Sequence, residues 1–176
     1  FDSGEKIITS YRASKNFDQS LMAMGSSVGF IRECRFLHAP RNLLNLSTFV
    51  SGTGFLISSE VFDYKKGWNY NTISEDYQLT CDKVIKGTRV AYCDDAIFYD
   101  EQPTTLKQTY RQRLRWQKGC YIIFGMFLGN LLFKMVNTLK FTFFDFIIHL
   151  GPIPLCSTSW ALFNGLWAFI ECVVKI

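Results

Sequence analysis

Polar and apolar positions alternate in short blocks up to about Lys118, and charged positions become sparse after Lys140. The first stretch carries two different periods. Residues 6–11 (KIITSY) are rich in β-branched side chains and predict a strand. Residues 16–37 space Phe17, Leu21, Met24, Val28, Ile31 and Cys34 three to four apart, as on one helical face, with Gly25 and Gly29 as weak points. Residues 49–58 (FVSGTGFLIS) predict a strand interrupted by a glycine turn, followed from Ser59 by a short helix ending at Gly67. Ser74 predicts an N-cap, with Glu75 and Asp76 behind it in the first turn of a helix that runs through Leu79, Val84 and Ile85 to Gly87. Residues 88–92 (TRVAY) and 96–99 (AIFY) predict two further strands. Pro103-Thr104 opens a long helix to about Lys118, and a second, amphipathic or interfacial helix is predicted from Tyr121 to Val136.

Short strands alternating with helices imply an α/β sheet with helices packed on it. The strands are too few for a complete nucleotide-binding domain. Between Lys140 and Lys175 the only ionisable side chains apart from thiols are Asp145, His149 and Glu171. So long an apolar run predicts a membrane span, placed at about 146–174, with Pro152 and Pro154 near its start. Three parts are therefore expected: residues 1–120 in an α/β domain, 121–140 in an interfacial helix and 141–176 in a transmembrane segment. The chain opens on Phe1 and closes inside an apolar run at Ile176, so it is expected to be part of a longer protein.

Composition sharpens the partner classes. Across 176 residues the formal net charge is +4, and much of it comes from Lys107, Arg111, Arg113, Arg115 and Lys118, with Lys134 and Lys140 beyond. Positive charge just before a span places that side in the cytoplasm. No aromatic ladder or reader motif accompanies the cluster, so nucleic acid is not expected as a partner. The six cysteines form no C-x-x-C pair and there are two histidines, which argues against a zinc site. The thiols are expected to be reduced packing residues.

Four clusters could carry chemistry. Asp76, beside Glu75 at a helix start, would be held near unpaired backbone N–H groups, and a fixed carboxylate can accept a proton from an attacking hydroxyl. Plain capping is the competing role for acids at this place. Gln112, Arg115 and Trp116 stand at i, i+3 and i+4 and share a face, while Arg113 is expected to point elsewhere. That face offers an amide, a guanidinium fork suited to a diphosphate and an aromatic plane suited to a sugar ring. It equally suits an interfacial anchor on anionic headgroups. Gly52, Thr53 and Gly54 could let a backbone approach a ligand or form a simple turn. Residues 100–103 (DEQP) are expected to end a strand and cap the next helix.

Taken in order, a glycine-paired strand, the W…SED helix containing Trp68, Ser74, Glu75 and Asp76, a strand pair ending in E-x-P at Glu101, Q-R-L-R-W and then a span closely resemble the membrane-integrated family 2 glycosyltransferases. Cellulose, chitin and hyaluronan synthases belong to this group. The resemblance runs from about Tyr11 to Asp145. It implies an α/β, GT-A-type (Rossmann-like) domain, incomplete in this chain, followed by interfacial helices and a transmembrane helix. It implies inverting transfer from a nucleotide-sugar, usually UDP-linked, to a polysaccharide at the cytoplasmic membrane face. Asp76 matches the family's catalytic base, with Ser74 in place of the more usual threonine. Gln112, Arg115 and Trp116 match the residues beside diphosphate and acceptor, and residues 52–54 resemble an acceptor-side loop.

The family's D-x-D motif would lie upstream, and Asp94-Asp95 comes too late to supply it. Mg or Mn is therefore expected in the full-length parent rather than on this chain, and the chain alone is expected to be inactive. The implied partners are a nucleotide-sugar donor, a carbohydrate or lipid-linked acceptor and membrane lipids. Transfer of one sugar to a lipid and a non-catalytic membrane scaffold are the alternatives. Inversion needs no covalent nucleophile, which accords with a chain whose histidines are His38 and His149.

Overall fold

The computed structural model describes residues 4–61 and 67–151. Along the chain run β1 (Ile7–Ser14), α1 (Leu21–Glu33), a π-helical turn (Cys34–His38), α2 (Ala39–Leu43), β2 (Phe55–Ile57), α3 (Glu75–Ile85), β3 (Val90–Asp100), α4 (Leu106–Thr138) and α5 (Phe141–Leu150). The fold is the expected mixed α/β type, with a small sheet, helices and one apolar helix, consistent with a GT-A-like domain. Two compact units divide between Ile123 and Phe124, inside α4.

In the first unit the sheet order is β2-β1-β3. β2 pairs antiparallel with β1 through Ile7–Ile57 and Thr9–Phe55, and β3 pairs parallel with β1. Where two strands are predicted at 88–92 and 96–99, the structure has one. Its register jumps from Ser10–Cys93 to Tyr11–Ile97, so residues 94–96 bulge out without leaving the strand. Tyr92 Oη donates to Asp94 Oδ1 at 2.7 Å and Arg35 Nη1 to Asp94 Oδ2 at 3.1 Å, which holds the bulge. The predicted strand over 49–58 shrinks to β2. The chain before it, 47–50, is buried beside β3 and tied by single bonds: Thr48 N donates to Val90 O at 2.9 Å and Val50 N to Thr80 Oγ1 at 3.1 Å.

The helix expected over 16–37 starts at Ser20, whose Oγ accepts from Ala23 N at 3.1 Å. It widens into the π-helical turn just before Pro40, whose ring and missing N–H disrupt an α-helical ladder. The turn delivers buried His38 onto Tyr92, their rings stacked at 5.6 Å, and onto the Thr48 hydroxyl. Ile7, Ala23, Phe49, Val50, Leu79, Cys81, Val90 and Ile123 fill the core. The predicted short helix from Ser59 falls largely outside the described residues.

The end of β3 is anchored to the end of β1. Arg12 Nε donates to Asp100 Oδ2 at 3.1 Å, and Lys15 N donates to Asp100 O at 2.8 Å. Just beyond, buried Asn16 clamps the buried Gln102 backbone: Gln102 N donates to Asn16 Oδ1 at 2.8 Å and Asn16 Nδ2 to Gln102 O at 2.8 Å. Residues 100–103 thus end the strand as expected, and Thr105 then opens α4, its Oγ1 accepting from Gln108 N at 3.4 Å. Asn16→Ala should lower stability by about 2 kcal/mol, because it strands a buried N–H and C=O together. Asn16→Asp, which keeps one acceptor but sets a buried carboxylate oxygen against the Gln102 carbonyl, should lower it at least as much at neutral pH. Thermal melting of the full-length protein in detergent checks the order; equal melting of all three would remove the clamp.

The predicted break near Lys118 does not occur: α4 is one helix over Leu106–Thr138. Gly119, Gly125 and Gly129 weaken a helix by only about 1 kcal/mol each, and no proline interrupts it. This helix is long and apolar enough to cross a membrane, and only 17% of its apolar window is buried within the protein. A core helix would be mostly covered.

In the second unit the chain turns at Leu139 (φ +52°) into α5. Gly151, just past α5, comes against the ring of Phe124, where a Cβ would lie 2.5 Å from Cε2. Leu131, Phe143, Phe146 and Leu150 are buried here. The span predicted at 146–174 lies almost wholly outside the described residues.

Candidate active site

Asp76 sits at the N-terminus of α3, where its Oδ1 accepts from Tyr77 N at 2.8 Å. The loop before β2 reaches the same carboxylate. Gly52 (φ +76°) turns its backbone N–H toward it, and a Cβ on Gly52 would stand 3.8 Å from Asp76 Oδ2. The glycine is needed for that turn, since its φ is one that other residues rarely adopt. Sequence reasoning expects the helix start to keep this acid ionised. The structure adds an opposing contribution. Burial pushes the Asp76 pKa above the ordinary carboxylate value, the Tyr77 N–H partly opposes it, the Glu75 charge adds to the rise and the Gly52 N–H opposes it again. The result is a fixed carboxylate more basic than an exposed aspartate.

Ser74 occupies the N-cap position but makes no side-chain capping bond. Its hydroxyl instead lies against Gly119 of α4: a Cβ on Gly119 would overlap Ser74 Oγ and come 2.8 Å from Ser74 Cβ. The contact brings α4 onto the start of the helix that carries Asp76.

One turn back along α4, Trp116 lies 6.3 Å from the Phe30 ring, centroid to centroid. The Arg113 guanidinium stands 5.0 Å from the centre of the Trp116 ring and that of Arg12 5.9 Å. Arg113 therefore does not point elsewhere, as expected from the sequence, but onto Trp116, three residues on. Gln112 Oε1 is buried and has no hydrogen-bond partner. Arg115, Glu75 and Thr53 are exposed at the surface. Gly54 (φ +66°) seats the other end of the loop: Ser10 N donates to its carbonyl at 3.1 Å, and a Cβ there would lie 2.6 Å from Ser10 Oγ.

The structure thus joins Asp76 to Gly52, and α4 to α3 through Gly119. Three participants escape the sequence reading: Arg12, Arg113 and Gly119. Arg113 and Gly119 could have been found at i−3 and i+3 from Trp116, whereas nothing local marks Arg12. Among the described residues, no three His, Cys, Asp or Glu gather where they could hold a metal ion. Asp94, in the bulge, is engaged by Tyr92 and Arg35.

The chain is thus an α/β domain with a fixed carboxylate at the start of α3 and a helix, α4, packed on that start through Gly119. The family described as Glycosyl transferase family group 2 matches residues 10–175, and the chain belongs to it. Over 86 residues it is 30% identical to a probable glycosyltransferase, YdaM, of Bacillus subtilis, covering 49% of this chain and 20% of that protein. A probable glycosyltransferase of Sulfolobus acidocaldarius is 24% identical over 116 residues, 65% of this chain and 25% of its own length. The catalytic polypeptide of a UDP-forming cellulose synthase from Dictyostelium discoideum is 26% identical over 132 residues, 69% of this chain and 12% of its own. The chain spans a quarter or less of each of these relatives.

Proposed function

We propose that this chain supplies the acceptor-side part of an inverting family 2 glycosyltransferase that passes a sugar from a UDP-sugar to a growing polysaccharide at the cytoplasmic face of a membrane. The observation that carries it is the Asp76 carboxylate, half-buried, oriented by backbone N–H groups and made more basic by its surroundings. Such a group suits proton abstraction from a sugar hydroxyl. As the acceptor oxygen bonds to the anomeric carbon, the bond from that carbon to the UDP oxygen breaks, and the hydroxyl proton passes to Asp76. Attack opposite the leaving group inverts the centre.

Gln112 Oε1, buried without a partner, is an acceptor for another hydroxyl of the same sugar. The Trp116 ring offers its plane to the sugar's apolar face. Arg115, exposed on the same helix, is free of competing burial and suits the diphosphate charge. UDP as leaving group and a polysaccharide product are drawn from the Dictyostelium relative. Mg or Mn, carried in the full-length protein by the D-x-D motif that the family resemblance implies, would balance the diphosphate charge. The apolar α4, with Lys107, Arg111 and Lys118 at its exposed N-terminal half, supports a membrane-bound enzyme whose catalytic part is cytoplasmic.

Membranes carrying the full-length protein, given a panel of UDP-sugars and a divalent cation, should release UDP with one donor and yield a saccharide polymer. Release coupled to a single-sugar lipid product would replace the polysaccharide acceptor. No release with any donor from folded protein would reject the transferase reading.

A further inference from the structure

We propose that Gly119 is a positioning residue whose missing side chain seats α4 on Ser74 and so sets the separation between Asp76 and the Gln112, Arg115 and Trp116 face. The inference rests on the reading of that face and Asp76 as the transferase site. Gly119 lies three, four and seven residues after Trp116, Arg115 and Gln112, on the same side of the helix. It is buried. The atoms it would strike are Ser74 Oγ, then Ser74 Cβ at 2.8 Å and Ser74 N at 3.5 Å. The first two lie inside any tolerable separation, and the last is an ordinary contact.

Ser74 cannot turn its hydroxyl aside without its Cβ remaining in the way. It precedes Asp76 by two residues, so a shift of either helix moves the base relative to the face. The other glycines of α4 face open space: a Cβ on Gly125 or Gly129 meets nothing within 4 Å. Ser74 makes no capping bond, so its contribution here is its small size against Gly119.

The test is a set of substitutions in the full-length protein: Gly119→Ala alone, then in combination with Ser74→Ala and with Ser74→Gly, each compared with its own background at position 74. Gly119→Ala should lower kcat about 100-fold, the effect of an ångström-scale misplacement at a reacting centre. Combined with Ser74→Ala it should recover in part, because Cβ remains at 2.8 Å. With Ser74→Gly it should have little further effect, because only the backbone nitrogen is left to meet it.

Melting temperature gives a readout apart from activity. In the parent background Gly119→Ala should lower it. In the Ser74→Gly background the same change should raise it, because alanine favours a helix over glycine. Equal losses of kcat in all backgrounds would overturn the positioning role, as would a reversal of melting with no rescue of kcat. If the parent released no UDP with any donor, the transferase reading would fall, while the reversal of melting would still establish the seating contact.

Discussion

Asp76→Asn in the full-length protein is expected to lower sugar transfer about 1000-fold, within the range that a positioned general base contributes. The substitution keeps the shape and one oxygen for the Tyr77 N–H, which now reaches Asp76 Oδ1 at 2.8 Å. What it removes is the proton acceptor. The raised pKa of Asp76 sets the pH behaviour. Transfer needs the ionised form, so its acid limb should fall at a higher pH than an exposed aspartate would give.

Stability moves the other way. A carboxyl whose folded pKa lies above the unfolded value of 3.8 favours the fold while protonated in both states, and that advantage is lost as pH rises through the folded pKa. Above that window the native state holds a desolvated charge. Asp76→Asn should therefore melt at or above the parent temperature at neutral pH and match it in acid. Retained transfer would reject Asp76 as base. A melting temperature lowered at neutral pH but not in acid would show that the charge stabilises the fold, against the burial argument.

What is legible in the sequence is what is local. Leu21, Val28 and Ile31 announce α1 by spacing, and Glu75-Asp76 behind Ser74 announce α3, because a helix start leaves its mark within one turn. Gln112, Arg115 and Trp116 declare a shared face for the same reason. The bulge at 94–96 is not legible: it exists because β3 must stay in register with β1 on both sides of an excess of residues, and that count belongs to the pairing. The π-helical turn before Pro40 escapes because the pattern shows where a helix is disfavoured, not how the ladder adjusts. The raised pKa of Asp76 comes from burial among parts distant in sequence, so a rule about helix ends does not reach it. Ser74 reads as a cap from its type, whereas its contact with Gly119 depends on how two helices 45 residues apart come to pack.

Gly54→Ala should be the most damaging of the single substitutions for stability, lowering it by about 4 kcal/mol. Two effects add. The backbone at Gly54 has φ +66°, a conformation that penalises a side chain by about 1–2 kcal/mol. The new Cβ would also lie 2.6 Å from Ser10 Oγ and 2.8 Å from Phe98 Cβ. Ser10 can rotate its hydroxyl, but Phe98 Cβ is fixed to β3, so the strain of overpacking adds about 1–3 kcal/mol. Moving the loop outward instead would break the bond from Ser10 N to the Gly54 carbonyl, 3.1 Å long, that aligns β1 with β2. Gly52→Ala supplies the contrast. It shares the positive φ, but its Cβ would stand at an ordinary 3.8 Å from Asp76 Oδ2, so only the conformational penalty applies. Melting of the full-length protein in detergent should rank the parent above Gly52→Ala, and Gly52→Ala well above Gly54→Ala. If the two variants melted together, the close packing of the loop on Ser10 and Phe98 would not be what holds Gly52 at the base.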